Sequence, residues 1–104
     1  MKIAVGIATA GRREILSETL LEIGRQTRAP DRLIVCPARS EDCDSNLLLP
    51  VPIEVVSSPI GSCAQRNALI EAAADADWMV FFDDDFFPAP DFLALLEAEI
   101  LARP

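Results

Sequence analysis

Four short apolar runs recur along the chain with helical periods between them, and this alternation limits the available folds more than any other feature. Lys2–Ala8 is nearly continuous in apolar character. Such a run suits a strand covered on both faces in a parallel sheet. Arg32–Cys36 is a second buried strand, Pro52–Val56 a shorter third near an edge, and Trp78–Phe82 a fourth, large and apolar throughout.

Between these runs the period changes to that of a helix. From about Arg12 to Gln26, residues Ile15, Leu16, Thr19, Leu20 and Ile23 share one face, and Glu14, Glu18 and Glu22 line the other. Pro30 closes that segment. A second helix is expected from Ser62 to about Ala74, with Ser62 and Gln65 reading as a capping box that satisfies the first backbone N–H groups. Pro88 and Pro90 introduce a last helix in which Phe92, Leu93, Leu96 and Ile100 share a face. The polar stretch 37–50 reads as a loop. The order β-α-β-β-α-β-α predicts an α/β fold of about four mostly parallel strands with helices on both faces.

Composition narrows the functions. The hydrophobic share is 51% and the charged share 25%, which excludes a disordered or low-complexity chain. No apolar run approaches the ~20 residues that span a bilayer. The net charge of −8 falls wholly in residues 53–104, where Arg66 and Arg103 face ten acids. Nonspecific nucleic-acid binding is therefore disfavoured, whereas an anionic ligand could bind in company with a cation. The chain has no histidine, so imidazole zinc sites and Ser-His or Cys-His catalysis are excluded within it. Cys36, Cys43 and Cys63 show no framework spacing, which fits reduced thiols in a cytoplasmic protein. There is no G-x-G-x-x-G and no P-loop signature.

The feature that carries chemistry is Asp83-Asp84-Asp85, directly after the fourth strand. Three adjacent carboxylates beside an apolar core need a counter-charge. In an extended chain, Asp83 and Asp85 point to one side and Asp84 to the other. Two carboxylates on one side suit Mg²⁺ or Mn²⁺ completed by substrate phosphates and water. Ligands of open α/β sheets bind beyond the carboxyl ends of the strands, where this triplet lies. The plainer alternative is a solvated acidic cap before a helix.

Taken in order, four segments resemble family 2 glycosyltransferases of the GT-A fold. They are Ile7–Arg12 at the first strand and turn, Gln26-Thr27 at the end of the first helix, Gly61–Asn67 as a G-x-x-x-A-R-N segment, and Phe82–Asp85 with Pro88 as the D-x-D motif and its flank. The resemblance implies the Rossmann-like nucleotide-sugar-binding half of such an enzyme, with strand order 3-2-1-4, spanning residues 1–104 as a single and truncated domain. It implies metal ligation by Asp83 and Asp85, with Mn²⁺ or Mg²⁺ bridging the diphosphate of a nucleoside-diphosphate sugar. Thr9 would lie near the base, Arg66 and Asn67 near the base or phosphates, Asp83 near the ribose, and Asp84 would make a second contact. Without the resemblance, Thr9 is a turn residue and Arg66 a helix-surface charge.

Two departures stand out. Pro37-Ala38 occupies the place of the Asp pair by which the family grips the base, although Ser40 and Asp42 remain. The acceptor half, expected to supply the catalytic base, would have to follow Pro104, so the chain alone is expected to be inactive, and any membrane association would come through that part. Leu95 and Leu101 give the last helix more apolar surface than one face needs, which suggests a homodimer. A noncatalytic scaffold is the competing reading. A nucleotidyltransferase is weaker, because Gly11-Arg12-Arg13 supplies only one glycine.

Overall fold

The computed structural model describes residues 1–103. The elements are β1 (Ile3–Thr9), α1 (Arg13–Ile23), β2 (Arg32–Pro37), a 3-10 turn (Ser40–Asp42), β3 (Ile53–Val55), α2 (Ser62–Ala72), β4 (Trp78–Phe81) and α3 (Phe92–Ala102). The strands form one sheet in the order β3-β2-β1-β4, and every pairing is parallel. This is the expected α/β, Rossmann-like arrangement.

Two cores follow from the two-residue period of the strands. Ile3, Val5 and Ile7 of β1, with Leu33 and Val35 of β2, face α1 and α3, where they meet Leu16, Leu20, Ile23 and Leu93. Ala4 of β1, with Ile34 and Cys36 of β2, faces α2 and meets Leu69 and Ala73. The second layer is built from smaller side chains, which lets α2 lie close to the sheet. The loop 37–50 is less polar in its packing than in its composition, since Cys43 is buried and Leu47 and Leu49 pack on the first core. Burial pushes the Cys43 thiol up from its ordinary pKa.

The amino edge of the sheet is closed by ion pairs. Arg32, at the start of β2, reaches Glu54 at 2.6 Å and Asp75 at 2.5 Å. Arg28 joins Asp31 at 2.9 Å and Glu97 at 2.7 Å. Asp31 also accepts the Ile3 N–H at 2.7 Å. Six charged residues are thus consumed in holding the frame, away from the carboxyl edge. Leu95 and Leu101, on which the dimer expectation rests, are exposed on α3. Among the described residues, no helix is long and apolar enough to cross a membrane.

Candidate functional site

The parallel strands deliver Thr9, Pro37 and Phe82 to one edge, and the turns that follow them form the site. Gly11 sits in the turn after β1 with φ +66°, and Gly61 precedes α2 with φ +138°; neither angle suits a residue with a Cβ. Gly11 lies in the turn between β1 and α1, and Gly61 is the residue from which α2 starts.

Ser62 and Gln65 do not form the expected capping box. The N-cap of α2 is Gly61, without a side-chain cap bond. Gln65 is buried instead and turns inward, donating from Nε2 to the Thr9 carbonyl at 2.9 Å and to the Cys36 carbonyl at 2.8 Å. Both amide hydrogens are used. The side chain therefore ties the carboxyl ends of β1 and β2 together, a demand stronger than capping because both carbonyls are otherwise buried.

The acidic segment is a turn, in contrast to the extended chain expected of it. Phe86 N–H donates to the Asp83 carbonyl at 3.1 Å, so Asp84 and Asp85 are the central residues of a β-turn. The burial still alternates: Asp83 and Asp85 are exposed and Asp84 is buried. Asp84 is turned inward by two hydroxyls. Thr9 Oγ1 donates to its Oδ2 at 2.8 Å, and Thr19 Oγ1 donates to its backbone carbonyl at 2.6 Å. The Thr19 hydroxyl also lies 3.0 Å from the Ile15 carbonyl, but its single hydrogen favours the nearer Asp84. Arg12 adds the counter-charge, with Nη1 3.2 Å from Asp84 Oδ1 and Nη2 3.2 Å from Asp85 Oδ2.

The far end of the segment is equally fixed. Gln26 Nε2 donates to the Ala89 carbonyl at 2.6 Å, and Gln26 Oε1 accepts the Leu93 N–H at 3.0 Å. Gln26 thereby caps α3, whose own N-cap, Asp91, makes no side-chain cap bond. Phe82, Phe86 and Phe92 stack against one another with centroids 5.2 to 6.1 Å apart.

Arg66 and Asn67 are exposed in the first turns of α2. The Arg66 guanidinium lies over the Phe81 ring, 5.3 Å from its centroid, which places this cation beside the end of β4. The structure thus brings Thr9, Asp84 and Asp85 into one network through Arg12, while Asp83 and Arg66 flank the end of β4. A hollow of about 310 Å³ lies on the outer side of β4, lined by Val80, Phe81, Phe82, Asp83, Phe86 and Phe92. Of the expected site residues only Asp83 reaches it, and its phenylalanine walls offer nothing to a phosphate.

Comparison with known proteins decides the family. The model for "Glycosyl transferase family 2" matches residues 4–104. The chain belongs to that family. The crystal structure of S. aureus TarS shares the fold, with a TM-score of 0.66 and 16% identity over 98% of this chain. The chain spans 20% of the TarS chain. Among curated proteins, none matches by sequence.

Among the described residues, no three acidic or thiol groups converge. Asp83 and Asp85 are, however, two hard oxygen donors exposed one residue apart on a turn that is fixed from both sides. That donor set fits Mg²⁺ or Mn²⁺ whose remaining positions are filled by phosphates and water. It does not suit a cation held by protein alone.

Sequence reasoning missed Arg12, Thr19, Gln26 and Gln65 as builders of the site. Arg12 had a signal: it is a cation in the turn after the first strand, in a fold that sets that turn beside the acidic triplet. Thr19 had a weaker one, as a hydroxyl on the apolar face of α1.

Proposed function

We propose that residues 1–104 act as the nucleotide-sugar-binding domain of a glycosyltransferase that moves a sugar from a nucleoside diphosphate to a hydroxyl acceptor. The observation that carries this reading is the hydrogen-bonded turn at Asp83–Asp85, which leaves two carboxylates exposed at the carboxyl edge of a family 2 sheet.

Asp83 and Asp85 would hold Mn²⁺ or Mg²⁺. When bound, the ion supplies positive charge that stabilises the departing diphosphate. The chain's own residues supply the positioning. Thr9 fixes Asp84, and Asp84 in turn fixes the two carboxylates on either side of it. Arg66, with Asn67 next to it, offers a cation to the phosphates or base from the start of α2. Pro37 and Ala38 stand in place of an acidic pair, so the end of β2 offers the base no carboxylate at these positions.

Titration calorimetry with UDP, GDP and dTDP, with and without Mn²⁺, tests the reading. Binding of at least one of them is expected only with the metal, and Asp85→Ala is expected to remove it. Equal binding in EDTA argues against the assignment. The absence of an acidic pair at Pro37-Ala38 favours the scaffold reading, which predicts no nucleotide binding under any of these conditions.

A further inference from the structure

Arg12 is the side chain that joins two of the three acidic residues, and the two carboxylates differ in what else holds them. Asp84 is buried, and it keeps the Thr9 hydroxyl at Oδ2 and the Thr19 hydroxyl at its backbone carbonyl whether or not Arg12 is present. Asp85 has 52% of its side chain exposed, and Arg12 is its one side-chain partner among the described residues. Arg12 is itself half exposed, on a long arm leaving the glycine turn after β1. The Arg12–Asp85 pair can therefore open without loosening the turn.

We propose that Arg12 is an exchangeable counter-charge for the acidic turn. It neutralises Asp85 while no divalent cation is bound and gives up that carboxylate when one binds. This inference rests on the reading that Asp83 and Asp85 take the cation. A guanidinium cannot lose its proton near neutral pH, so it cannot share Asp85 with a divalent ion without repulsion. It has to move. Its planar fork then matches the oxygens of a diphosphate, which arrives carrying negative charge.

The proposal predicts effects of opposite sign, which a merely structural role would not produce. In the full chain, Arg12→Gln is expected to bind Mn²⁺ alone roughly threefold to fivefold more tightly than wild type. That factor is the worth of one exposed ion pair that no longer has to be broken. With inorganic pyrophosphate present, the same variant is expected to bind the Mn²⁺–pyrophosphate pair roughly tenfold more weakly, for want of a charge-assisted contact. Arg12→Lys keeps the charge without the fork, so it should resemble wild type toward Mn²⁺ alone and fall between wild type and Arg12→Gln toward pyrophosphate.

The experiment measures free Mn²⁺ by electron paramagnetic resonance for wild type, R12Q, R12K and D85N, and repeats the titrations with inorganic pyrophosphate by calorimetry. Thermal melts show that each variant is folded. Opposite shifts in R12Q support the proposal. Equal Mn²⁺ affinity in wild type and R12Q, with uptake lost in D85N, overturns the role of Arg12 and leaves the metal reading standing. No uptake by any of the four proteins, with or without pyrophosphate, overturns both.

Discussion

The Thr9 hydroxyl donates to Asp84 Oδ2 at 2.8 Å, joining the end of the first strand to the acidic turn across 75 residues of sequence. Both groups are buried, so neither finds water if the other is removed. Thr9→Val keeps the shape and deletes the donor. It is expected to cost about 1–3 kcal/mol of stability, the usual penalty for an unsatisfied buried polar group. Thr9→Ser should recover most of that. Urea melts of the three proteins check it; a loss below a few tenths of a kcal/mol in Thr9→Val would mean that the contact is dispensable.

Gln65 makes a comparable demand at the other side of β1. Its amide serves the Thr9 and Cys36 carbonyls together, so Gln65→Leu takes a bond from each in one step, although the Thr9 carbonyl keeps the Ala38 N–H at 2.8 Å. The expected loss is again about 1–3 kcal/mol, whereas the neighbouring exposed Asn67→Ala should stay within roughly 0.5 kcal/mol. The pair can be compared by thermal melting. Amide exchange at the ends of β1 and β2 should quicken in Gln65→Leu alone.

The parallel strands and the two-faced burial were legible because they depend on hydrophobic period, which acts over few residues; the strand order followed from the family resemblance. Ile3, Val5 and Ile7 on one face and Ala4 on the other follow directly from alternation. The acidic triplet stood out in the sequence because carboxylates after a buried strand need explaining. Its conformation was not. Whether Asp84 turns in depends on a hydroxyl 75 residues away, and no local pattern reports that. Gln65 was misread for the same reason. Its spacing from Ser62 fits a capping box, but two buried carbonyls from different strands compete for its amide and win. Gln26 was read only through a motif, and its physical task, capping α3, becomes visible once α1 and α3 lie side by side.

Acid should loosen the frame before it affects the core. The Ile3 backbone N–H, with Arg28, holds the Asp31 carboxyl below its ordinary value. The Arg32 guanidinium does the same for Glu54. A carboxyl whose folded pKa is depressed binds fewer protons folded than unfolded, so it contributes stability above its unfolded pKa and loses it as the pH falls through the folded one. The chain should therefore be steady near neutrality and lose stability below about pH 4, the ordinary carboxylate range. Glu54→Gln should flatten that part of the profile, and melting temperatures between pH 3 and pH 7 measure it. An unchanged slope would place the acid sensitivity elsewhere.

Asp84 and Asp85 should separate stability from binding. Asp84 is 8% exposed and has both carboxylate oxygens engaged, one by Thr9 and one by Arg12. Asp84→Ala leaves the Thr9 donor without its acceptor and the Arg12 cation with Asp85 alone, and removal of one partner from a buried charged contact costs about 3–5 kcal/mol at the upper end. Exposure of Arg12 to water lowers the expectation to about 2–3 kcal/mol. Asp85 is half exposed and bound only through a surface pair, so Asp85→Ala should change stability by less than about 1 kcal/mol. The order reverses for ligand. Asp85→Ala is expected to abolish metal-dependent nucleotide binding in a fully folded protein, whereas whatever binding Asp84→Ala loses should follow the fraction of molecules with the turn disordered. Calorimetry at a temperature well below both melts separates the cases. If Asp85→Ala binds nucleotide as wild type does while Asp84→Ala, still folded, does not, then the inward carboxylate is the ligand-binding one and the roles drawn here are exchanged.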